Sequence, residues 1–430
     1  MNELQSLPQV GKPITGSAIV PYRYHFNTVT FGYTTAFWNF EKWELLLDWL
    51  ALKGVNLPLA WVGYEAIFLD VFRGVGLSDA EIFDFLAGPA FLPWNRFGNI
   101  QGSWGGALPA QWVEDQFALQ KQIVPRMAEL GMTPILPAFT GFVPRALSLH
   151  YPNASIILGD AWTGFTAPYS NDSFLEPFDP LYPQMQKSFI SKQQEAYGNV
   201  THFYTLDQYN ENNPLSGNIS YLSSISSGTI ESLRAADPEA TWVLQAWLFF
   251  SSEVFWTTER IQAYLGAAPN DSMLILDLYS EAQPQWNRTQ SYFGKPWVWC
   301  ELHGFGGNIG IEGNLPAITQ GPIDALHSEG STMVGMGLSM EAQEPGNELI
   351  YDILLDQAWS AVPLNITDYV TSWATRRYQV QALPAEVKLA WEILSSTVYS
   401  NQDPNSQATI KSILEIAPAI SGLVNRTGAF

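Results

Sequence analysis

Cysteine is almost absent from this sequence of 430 residues, in which Cys300 is the only one. A single cysteine excludes an internal disulfide and a zinc site built from several thiolates. Basic residues are also few, with 20 Lys and Arg against 41 Asp and Glu. The resulting formal charge of −21 disfavours nucleic acid and anionic membranes as partners. Cys300 lies inside an apolar segment, where we expect it to be a buried packing residue.

Long apolar runs and common cofactor motifs are missing as well. No stretch has the ~20 apolar residues of a membrane-spanning helix, and residues 1–16 lack the basic start and apolar centre of a signal peptide. The five histidines show no H-x-H or H-E-x-x-H spacing. There is also no G-x-S-x-G motif and no phosphate-binding P-loop. The sequence therefore predicts neither a metal site nor a cofactor.

N-x-Ser/Thr sequons, the acceptor pattern of N-glycosylation, are more numerous than chance suggests. Together they favour the secretory pathway, with an extracellular or lysosomal (vacuolar) destination and a signal peptide that this sequence does not contain. The asparagines that begin a sequon are Asn153, Asn171, Asn199, Asn218, Asn270, Asn287, Asn365 and Asn425.

Eight short apolar segments are typical of strands, and longer stretches of helical character separate most of them. Such alternation predicts an α/β fold, a (β/α)8 TIM barrel. We expect an N-terminal lead over residues 1–21, the barrel over 22–362 and the start of an all-helical domain over 363–430. The strand segments are YRYHFNTV, VNLPLAW, TPILPAF, HFYTLDQY, TWVLQAW, MLILDLY, PWVWCEL and TMVGMGL.

The first helix and one long connection are the clearest local features. In NFEKWELLLDWLALKG the apolar residues recur at helical spacing, Asn39 suits the N-cap and Gly54 the position after the last turn. Trp43 and Trp49 on this helix are expected to pack in the core. The glycine- and aromatic-rich residues 88–109 are expected to form an ordered active-site loop.

The helices after about residue 366 are expected to be incomplete without partners. PAEVKLAWEILSSTVYS carries Leu389, Trp391, Ile393 and Leu394, which need neighbouring helices to cover them. We expect the chain to be a fragment that is poorly soluble or weakly active alone, and a homo-oligomer could form through the helical or missing parts.

Acidic and aromatic residues cluster just past the ends of the strands, where a barrel carries its active site. Aromatic rings that stack on pyranose faces, together with two carboxylates, are what a sugar-cleaving pocket requires. The acids are Glu65, Glu211, Glu281, Glu301 and Glu341, and the aromatics are Trp61, Trp94, Trp104, Trp162, Trp247, Tyr279 and Phe305. An isolated glutamate at a strand end is more often a salt-bridge partner or a solvated rim residue, and we expect this of Glu65, Glu281, Glu301 and Glu348. Trp104 could either pack or contact sugar.

Several of these segments together resemble the α-N-acetylglucosaminidase family of glycoside hydrolases. The resemblance runs from about Tyr22 to Tyr378 and is carried by GPAFLPWNRFGNI, GMTPILPAFTGFVP, YNENNP, LQAWLF, LILDLYSEAQP, WVWCELHGFGGNIG and STMVGMGLSMEA. It implies a retaining exo-enzyme that removes terminal α-linked N-acetylglucosamine from glycans without a metal or cofactor. It also implies a small domain before the barrel and a large helical domain after it.

The resemblance assigns the general acid/base to Glu211 and the nucleophile to Glu341. It suggests sugar contacts from Asn27, Tyr33, Trp94, Trp162, Asn210, Trp247, Leu278 and Phe305. Two departures from the family pattern are Val29, where animal members have cysteine, and one extra residue in EAQEPGNE after Glu341. The second departure affects the loop rather than the identity of Glu341, which follows STMVGMG.

Stereochemistry supports two separate carboxylates. In an α-linked 2-acetamido sugar the acetamido group lies on the same side as the leaving oxygen, so it cannot displace that oxygen from the opposite face. Retention then requires an enzyme nucleophile about 5–5.5 Å from the acid/base. We expect Glu211 to hold a proton for the leaving oxygen and Glu341 to be ionised.

The alternative functions are another barrel exo-glycosidase and a non-catalytic glycan-binding protein. The acidic composition disfavours long sulfated chains as substrates, but the sequence leaves the natural aglycone open.

Overall fold

A computed structural model of the chain describes residues 11, 15–162, 164–306, 311–343 and 347–403. Eight parallel strands form its central sheet. The strands are β1 (Tyr22–His25), β2 (Leu57–Pro58), β3 (Leu136–Pro137), β4 (Phe203–Thr205), β5 (Thr241–Gln245), β6 (Met273–Asp277), β7 (Trp297–Glu301) and β8 (Met333–Leu338). Each lies within one of the eight predicted segments, but most are shorter than predicted.

The sheet is curled, so that its two end strands meet. Its order is β2-β1-β8-β7-β6-β5-β4-β3. A parallel bridge joins Leu59, after β2, to Ile135, before β3. Ile135 donates its N–H to Pro58 O, and Ala60 donates to Ile135 O, both at 2.8 Å. The architecture is therefore TIM-barrel-like, with all strand carboxyl ends on one face.

Helices surround the curled sheet, and the last two follow the final strand–helix unit. They are α1 (Phe40–Leu52), α2 (Tyr64–Gly74), α3 (Asp79–Phe85), α4 (Ala110–Glu129), α5 (Leu181–Tyr197), α6 (Ile219–Ala236), α7 (Thr258–Gly266), α8 (Leu315–His327), α9 (Glu348–Gln357), α10 (Ile366–Arg377) and α11 (Ala385–Ser396). Shorter helical segments are Thr30–Tyr33, Leu92–Arg96, Leu147–His150, Trp247–Ser251 and Gln290–Gly294.

Local sequence signals set the ends of α1 as predicted. The side chain of Asn39 accepts a hydrogen bond from Lys42 N, which satisfies one of the open N–H groups of the first turn. Gly54 follows the helix with φ of 75°, a left-handed conformation that favours glycine. Trp43 is buried in the core, as expected, and Cys300 is buried too.

The connection between β6 and β7 departs from the regular strand–helix alternation. It contains only the five-residue segment Gln290–Gly294, in which Ser291, Tyr292 and Phe293 have φ of 59°, 52° and 54°. Gln290, with φ of 50°, extends this run to four consecutive left-handed residues, which cannot form a right-handed helix. Tyr292 and the nearby Trp297 are fully buried, so burial of aromatic rings accompanies this turn.

Two helices follow the last strand–helix unit without an intervening strand. Trp373 of α10 packs edge-on against Trp391 of α11, with ring centroids 5.4 Å apart. Leu389 and Ile393 on α11 are more than half exposed. In the described part of the chain, none of these helices is long and apolar enough to span a membrane.

Candidate active site

Glu211 lies at the carboxyl end of β4, between two tryptophans. Its Oε2 accepts a hydrogen bond from Trp162 Nε1 at 2.8 Å, and its Oε1 accepts one from Trp247 Nε1 at 3.0 Å. Sequence reasoning treated both tryptophans only as stacking surfaces for sugar. The structure shows that their indole N–H groups fix the orientation of the Glu211 carboxylate.

Glu341 lies just past β8 and is held by the loop that follows β7. Its Oε2 accepts a hydrogen bond from Gly306 N at 2.7 Å, and its own N–H donates to Gly304 O at 2.8 Å. Burial raises the pKa of Glu341 to about 7, the Gly306 N–H opposes this rise, and the negative charge of Glu211 adds to it. The ionised state of Glu341 stays a prediction, because this pKa depends on whether Glu211 carries its charge.

Tyr33 joins the two carboxylates to the aromatic wall. Burial raises its pKa, and the charges of Glu341 and then Glu211 raise it further, so its hydroxyl senses both groups. Its ring packs against Gly306 so closely that a Cβ at Gly306 would lie 2.3 Å from the ring. On its other side the Tyr33 ring meets Trp94 edge-on, with centroids 5.1 Å apart.

A small antiparallel sheet anchors the segment that carries Trp162. The strands Phe142–Val143, Ile156–Leu158 and Ser173–Leu175 form this sheet outside the barrel, with the last strand in its centre. Gly159 N donates to Asp172 O at 2.9 Å, and Trp162 N donates to Ser170 Oγ at 2.8 Å. These bonds position the Trp162 indole over Glu211.

Asn27 and Leu278, two of the predicted sugar contacts, lie below the rim and are buried. Asn27 Nδ2 donates to Ser339 O at 2.9 Å, and Ser339 Oγ donates to Leu278 O at 2.6 Å. Asn210 is half-buried beside Glu211, and its Nδ2 donates to Asn99 Oδ1 at 3.4 Å. Asn210 therefore lies beside Glu211, whereas Asn27 and Leu278 are buried below the strand-end face.

A polar network beneath Glu211 was not identified from the sequence. Gln245, the last residue of β5, donates its N–H and its Nε2 to the two oxygens of Asp207, at 2.9 and 2.7 Å. Gln245 also pairs with Thr28 at 3.2–3.3 Å. Burial raises the pKa of Asp207 to about 7, and the bonds from Gln245 oppose the rise. An Asp and a Gln inside apolar strand segments were the available signal for this network.

The other strand-end glutamates divide into two groups. Glu65 forms a buried ion pair with Arg96, Nε to Oε1 at 2.7 Å, and Glu348 pairs with Arg377 at 3.0 Å. These two are salt-bridge partners, as predicted. For Glu281 and Glu301 the same prediction is wrong, because both are buried within the barrel ends and have no ion pair among the described residues.

Protonation explains how Glu281 and Glu301 are tolerated there. Glu281 accepts N–H bonds from Leu302 and His303, yet burial raises its pKa to about 8. Neither oxygen of Glu301 has a hydrogen-bond partner among the described residues. Burial raises the pKa of Glu301 well above its ordinary value, and the charge of Glu281 adds to this. A neutral carboxyl costs far less to bury than an ionised one.

Aromatic side chains continue around the strand-end face. Trp247 contacts Phe250, Phe250 contacts Tyr279, and Tyr279 meets Phe305 edge-on at 5.4 Å. Phe305 directly precedes Gly306, the residue that bonds Glu341. Trp61 is an exception to the predicted set, since it is buried against the Arg96 guanidinium.

An open cavity of about 560 Å³ lies next to the helical segment Trp247–Ser251. Its lining includes Asn213, Phe250 and Arg260.

Buried, protonated carboxyls predict that the fold is most stable at acidic pH. Burial raises the pKa of Asp172 to about 8, and neither of its oxygens has a hydrogen-bond partner among the described residues. Because the folded state holds this proton more tightly than the unfolded state, the stabilisation is present below about pH 4 and is lost as the pH rises through about 8. We expect the melting temperature to fall by several degrees between pH 5 and pH 8, measured by calorimetry.

Asp172→Asn tests this prediction, since asparagine stays neutral at every pH. The variant should resemble the parent protein at pH 5 and melt roughly 2–6 °C higher at pH 8. Asp115→Asn, at an exposed position of α4, is the matched control and should leave the pH profile unchanged. A melting temperature of the parent that rises from pH 5 to pH 8 would contradict the assignment.

Comparison with known proteins identifies the family. A family model described as the alpha-N-acetylglucosaminidase (NAGLU) tim-barrel domain matches residues 23–361. The chain belongs to the alpha-N-acetylglucosaminidase family. The model for the C-terminal domain of the same family matches residues 369–429. The resemblance recognised from the sequence motifs is therefore confirmed.

Individual members of the alpha-N-acetylglucosaminidase family resemble the chain over most of its length. It is 40% identical over 395 residues to Alpha-N-acetylglucosaminidase of Homo sapiens, a match that covers 92% of this chain and 52% of the human protein. A family 89 glycoside hydrolase from Clostridium perfringens, in complex with 2-acetamido-1,2-dideoxynojirimycin, superimposes with a TM-score of 0.85 and 29% identity. That match covers 97% of this chain and 46% of the bacterial chain.

A second structure of the Clostridium perfringens enzyme contains a substrate. It carries two glutamate-to-glutamine replacements and is in complex with GlcNAc-alpha-1,4-galactose, again with a TM-score of 0.85, 29% identity and the same coverage. The present chain thus spans about half the length of the relatives that it matches.

Proposed function

We propose that the protein is a retaining exo-glycosidase that hydrolyses terminal α-linked N-acetylglucosamine from the non-reducing end of glycans. The observation that carries this proposal is the pair Glu211 and Glu341. The negative charge of Glu211 raises the pKa of Glu341, and N–H groups at the strand-end face donate to both carboxylates. Paired carboxylates inside an aromatic wall suit glycoside hydrolysis. The substrate complex of the Clostridium perfringens relative supports the sugar and the linkage.

In the proposed mechanism Glu341 attacks the anomeric carbon while Glu211 protonates the leaving oxygen. A glycosyl ester on Glu341 forms, and the leaving alcohol departs with the proton of Glu211. Glu211, now ionised, takes a proton from water as the water attacks the ester carbon. Two displacements at one carbon give retention. The indole donors of Trp162 and Trp247 keep the Glu211 carboxyl oriented through both steps.

The raised pKa of Glu341 is compatible with this mechanism, because the charge of Glu211 is one of its causes. When Glu211 carries the proton, that charge is absent and Glu341 ionises more readily. The reactive form is the one with the proton on Glu211 and the Gly306 N–H bonded to ionised Glu341.

Substrate assistance does not fit this geometry. A 2-acetamido group on the same ring face as an α-linked leaving oxygen cannot displace that oxygen from behind. Asp207, the only acid close to Glu211 in the motif, is buried and engaged by Gln245 rather than exposed to a sugar. An enzyme nucleophile is therefore required for retention, which supports the role of Glu341.

The remaining sugar contacts are proposed by position. Tyr33, Trp94, Trp162, Trp247 and Phe305 form the wall around the two carboxylates, and Asn210 adds an amide beside Glu211. We propose that Asn27 and Leu278 act from the layer below, by shaping the floor of the pocket.

We propose a secretory location, with an acidic compartment as the working environment. Six of the seven sequon asparagines among the described residues are exposed, Asn171 is half-buried, and Asn425 lies outside the described residues. Exposure is what glycan attachment requires. The buried, protonated carboxyls Asp172, Glu281 and Glu301 also favour acidic conditions.

The domain division and oligomeric state are proposals too. The Leu59–Ile135 bridge supports a complete (β/α)8 barrel ending near residue 362, with α10 and α11 opening a helical domain. The exposed Leu389 and Ile393 on α11 support a further contact through this region, either within a longer chain or in a homo-oligomer.

A panel of aryl glycosides tests the proposed function. We expect turnover of the aryl α-N-acetylglucosaminide, with the α-anomer of N-acetylglucosamine as the first product by NMR. The β-anomer of the substrate, and α-glucosides that lack the acetamido group, should be cleaved at least ~100-fold more slowly, because the pocket is built for one face of the sugar. Initial release of the β-anomer, or preference for a different glycoside, would overturn the proposal.

A further inference from the structure

A second aromatic surface extends outward from the proposed pocket. It consists of Phe91, Trp104, Phe165 and Tyr169, which we call the aromatic platform. Trp104 contacts each of the other three, with ring centroids 5.0, 5.8 and 5.7 Å away respectively. Trp104 is 52% exposed and Phe91 is 41% exposed, so the platform presents open ring surface.

The platform is continuous with the carboxylate site. Phe165 stacks on Trp162 with centroids 5.2 Å apart and planes 16° from parallel, and Trp162 donates to Glu211. At the other end Phe91 contacts Trp94, which meets Tyr33. The Glu211 side of the pocket, where the leaving oxygen is protonated, therefore leads directly onto these rings.

The loops around this face carry few cations, and among these only Arg145 is exposed to solvent. The connections from each strand end to the next helix, together with residues 86–109, contain Arg96, Arg145 and Arg288 as their only Lys or Arg. Arg96 is buried against Glu65. Arg145 donates to the backbone oxygens of Ala167, Pro168 and Ser170. Arg288 donates to Gln285 Oε1 and to Phe249 O and Trp256 O.

Two histidines also lie in these loops. His303 is buried, and burial lowers its pKa to about 4. His150 is paired with Glu81 at 3.1 Å. Exposed acids are more numerous than exposed arginines in these loops and include Asp160, Glu211 and Glu253. A negative, aromatic surface attracts the apolar faces of neutral sugars and repels sulfate and carboxylate groups.

Resting on the proposed function, we propose that the aromatic platform is the aglycone subsite and that it selects uncharged glycans, with a neutral hexose of the aglycone stacked on Trp104. Sulfated or uronate-containing aglycones are disfavoured at this subsite because, in the described loops, exposed acids outnumber the one exposed arginine, Arg145, whose guanidinium donates to backbone oxygens. Substrate preference would thus be set outside the pocket that holds the N-acetylglucosamine unit.

Two substrates separate the subsite from the reaction itself. GlcNAc-α-1,4-galactose has a neutral hexose as aglycone, whereas the α-fluoride of N-acetylglucosamine has a single atom as leaving group. For Trp104→Ala we expect KM for the disaccharide to rise about tenfold with kcat nearly unchanged, and kcat/KM for the fluoride to stay within about twofold. Trp359→Ala is the matched control. It removes a tryptophan that is 46% exposed and packs on Gly54 and Arg23, and it should change neither the KM for the disaccharide nor the kcat/KM for the fluoride.

Charge selection is tested with the same disaccharide bearing a 6-sulfate on galactose. We expect its kcat/KM to be about tenfold lower than that of the neutral disaccharide. Ser103→Lys adds a cation beside Trp104, so this variant should reduce the difference in kcat/KM between the two disaccharides. Equal activity on the two disaccharides, or an unchanged KM in Trp104→Ala, would overturn the aglycone subsite while leaving the proposed function intact. An unmodified protein that cleaves neither the disaccharide nor the fluoride would overturn the proposed function itself.

Discussion

Glu341→Ala is expected to lose turnover of every α-N-acetylglucosaminide, by roughly 10⁴-fold or more in kcat. Without this carboxylate no group on the opposite face of the sugar can form the glycosyl ester. A fluorinated glycosyl inactivator should label the parent protein on the peptide that contains Glu341, detected by mass spectrometry after digestion. The Gly306 N–H donates to Glu341 Oε2 and so orients this carboxylate.

Glu348→Ala is the matched control for this experiment. Glu348 lies in the same segment of the chain as Glu341, but it pairs with Arg377 on the surface, so its removal should leave activity within about twofold. Azide should restore cleavage of an activated substrate by Glu341→Ala and give the β-glycosyl azide, since azide then enters from the vacated face. Labelling of Glu348 or Glu301 in the parent protein would contradict the assignment.

The second large effect concerns Glu211 and depends on the leaving group. Loss of a general acid typically costs on the order of 10²–10⁴-fold in rate, or about 3–5 kcal/mol. For Glu211→Ala we expect this full loss with a sugar aglycone, which leaves poorly without a proton. An activated phenol such as dinitrophenol hardly needs the proton, so its release should be affected far less. Steady-state rates across a series of aryl leaving groups measure the difference.

The product formed with azide distinguishes Glu211 from Glu341. In Glu211→Ala the glycosyl ester still forms on Glu341, and azide then attacks it to give the α-glycosyl azide, the opposite anomer to that from Glu341→Ala. Glu253→Ala is a suitable control, because Glu253 is an exposed acid on the same face with only a long contact to Arg288, at 3.8 Å. Equal losses on good and poor leaving groups, with no azide product, would show that Glu211 is not the acid/base.

Much of the fold and of the proposed carboxylate pair follows from local sequence. Each strand lies within a short apolar segment, and Asn39 and Gly54 bound α1 as their side chains predict. Glu211 and Glu341 lie in the loops that follow β4 and β8, so the parallel sheet brings them to one face. The sequence motifs around these two glutamates resemble those of the family, and the family model matches residues 23–361. These motifs distinguished Glu211 and Glu341 from the other acids.

The burial of individual carboxyls and the backbone N–H groups that bond them could not be predicted from the sequence. Glu281 and Glu301 occupy strand-end positions like Glu211, yet packing encloses them and raises their pKa values. Gly306 serves Glu341 through its N–H, and a backbone group leaves no signature in residue type. The Trp162 and Trp247 indoles reach Glu211 from segments 49 and 36 residues away in the chain.

By itself the sequence determined the strand order along the chain, the helix ends, the family and which carboxylates stand at strand ends, because these depend on local pattern and spacing. Only the tertiary structure decided which side chains each acid meets, which acids lose water, and how Arg96, Arg145 and Arg288 are occupied by internal partners. The physical reason is that hydration and long-range hydrogen bonds depend on distances between segments that are remote in the chain.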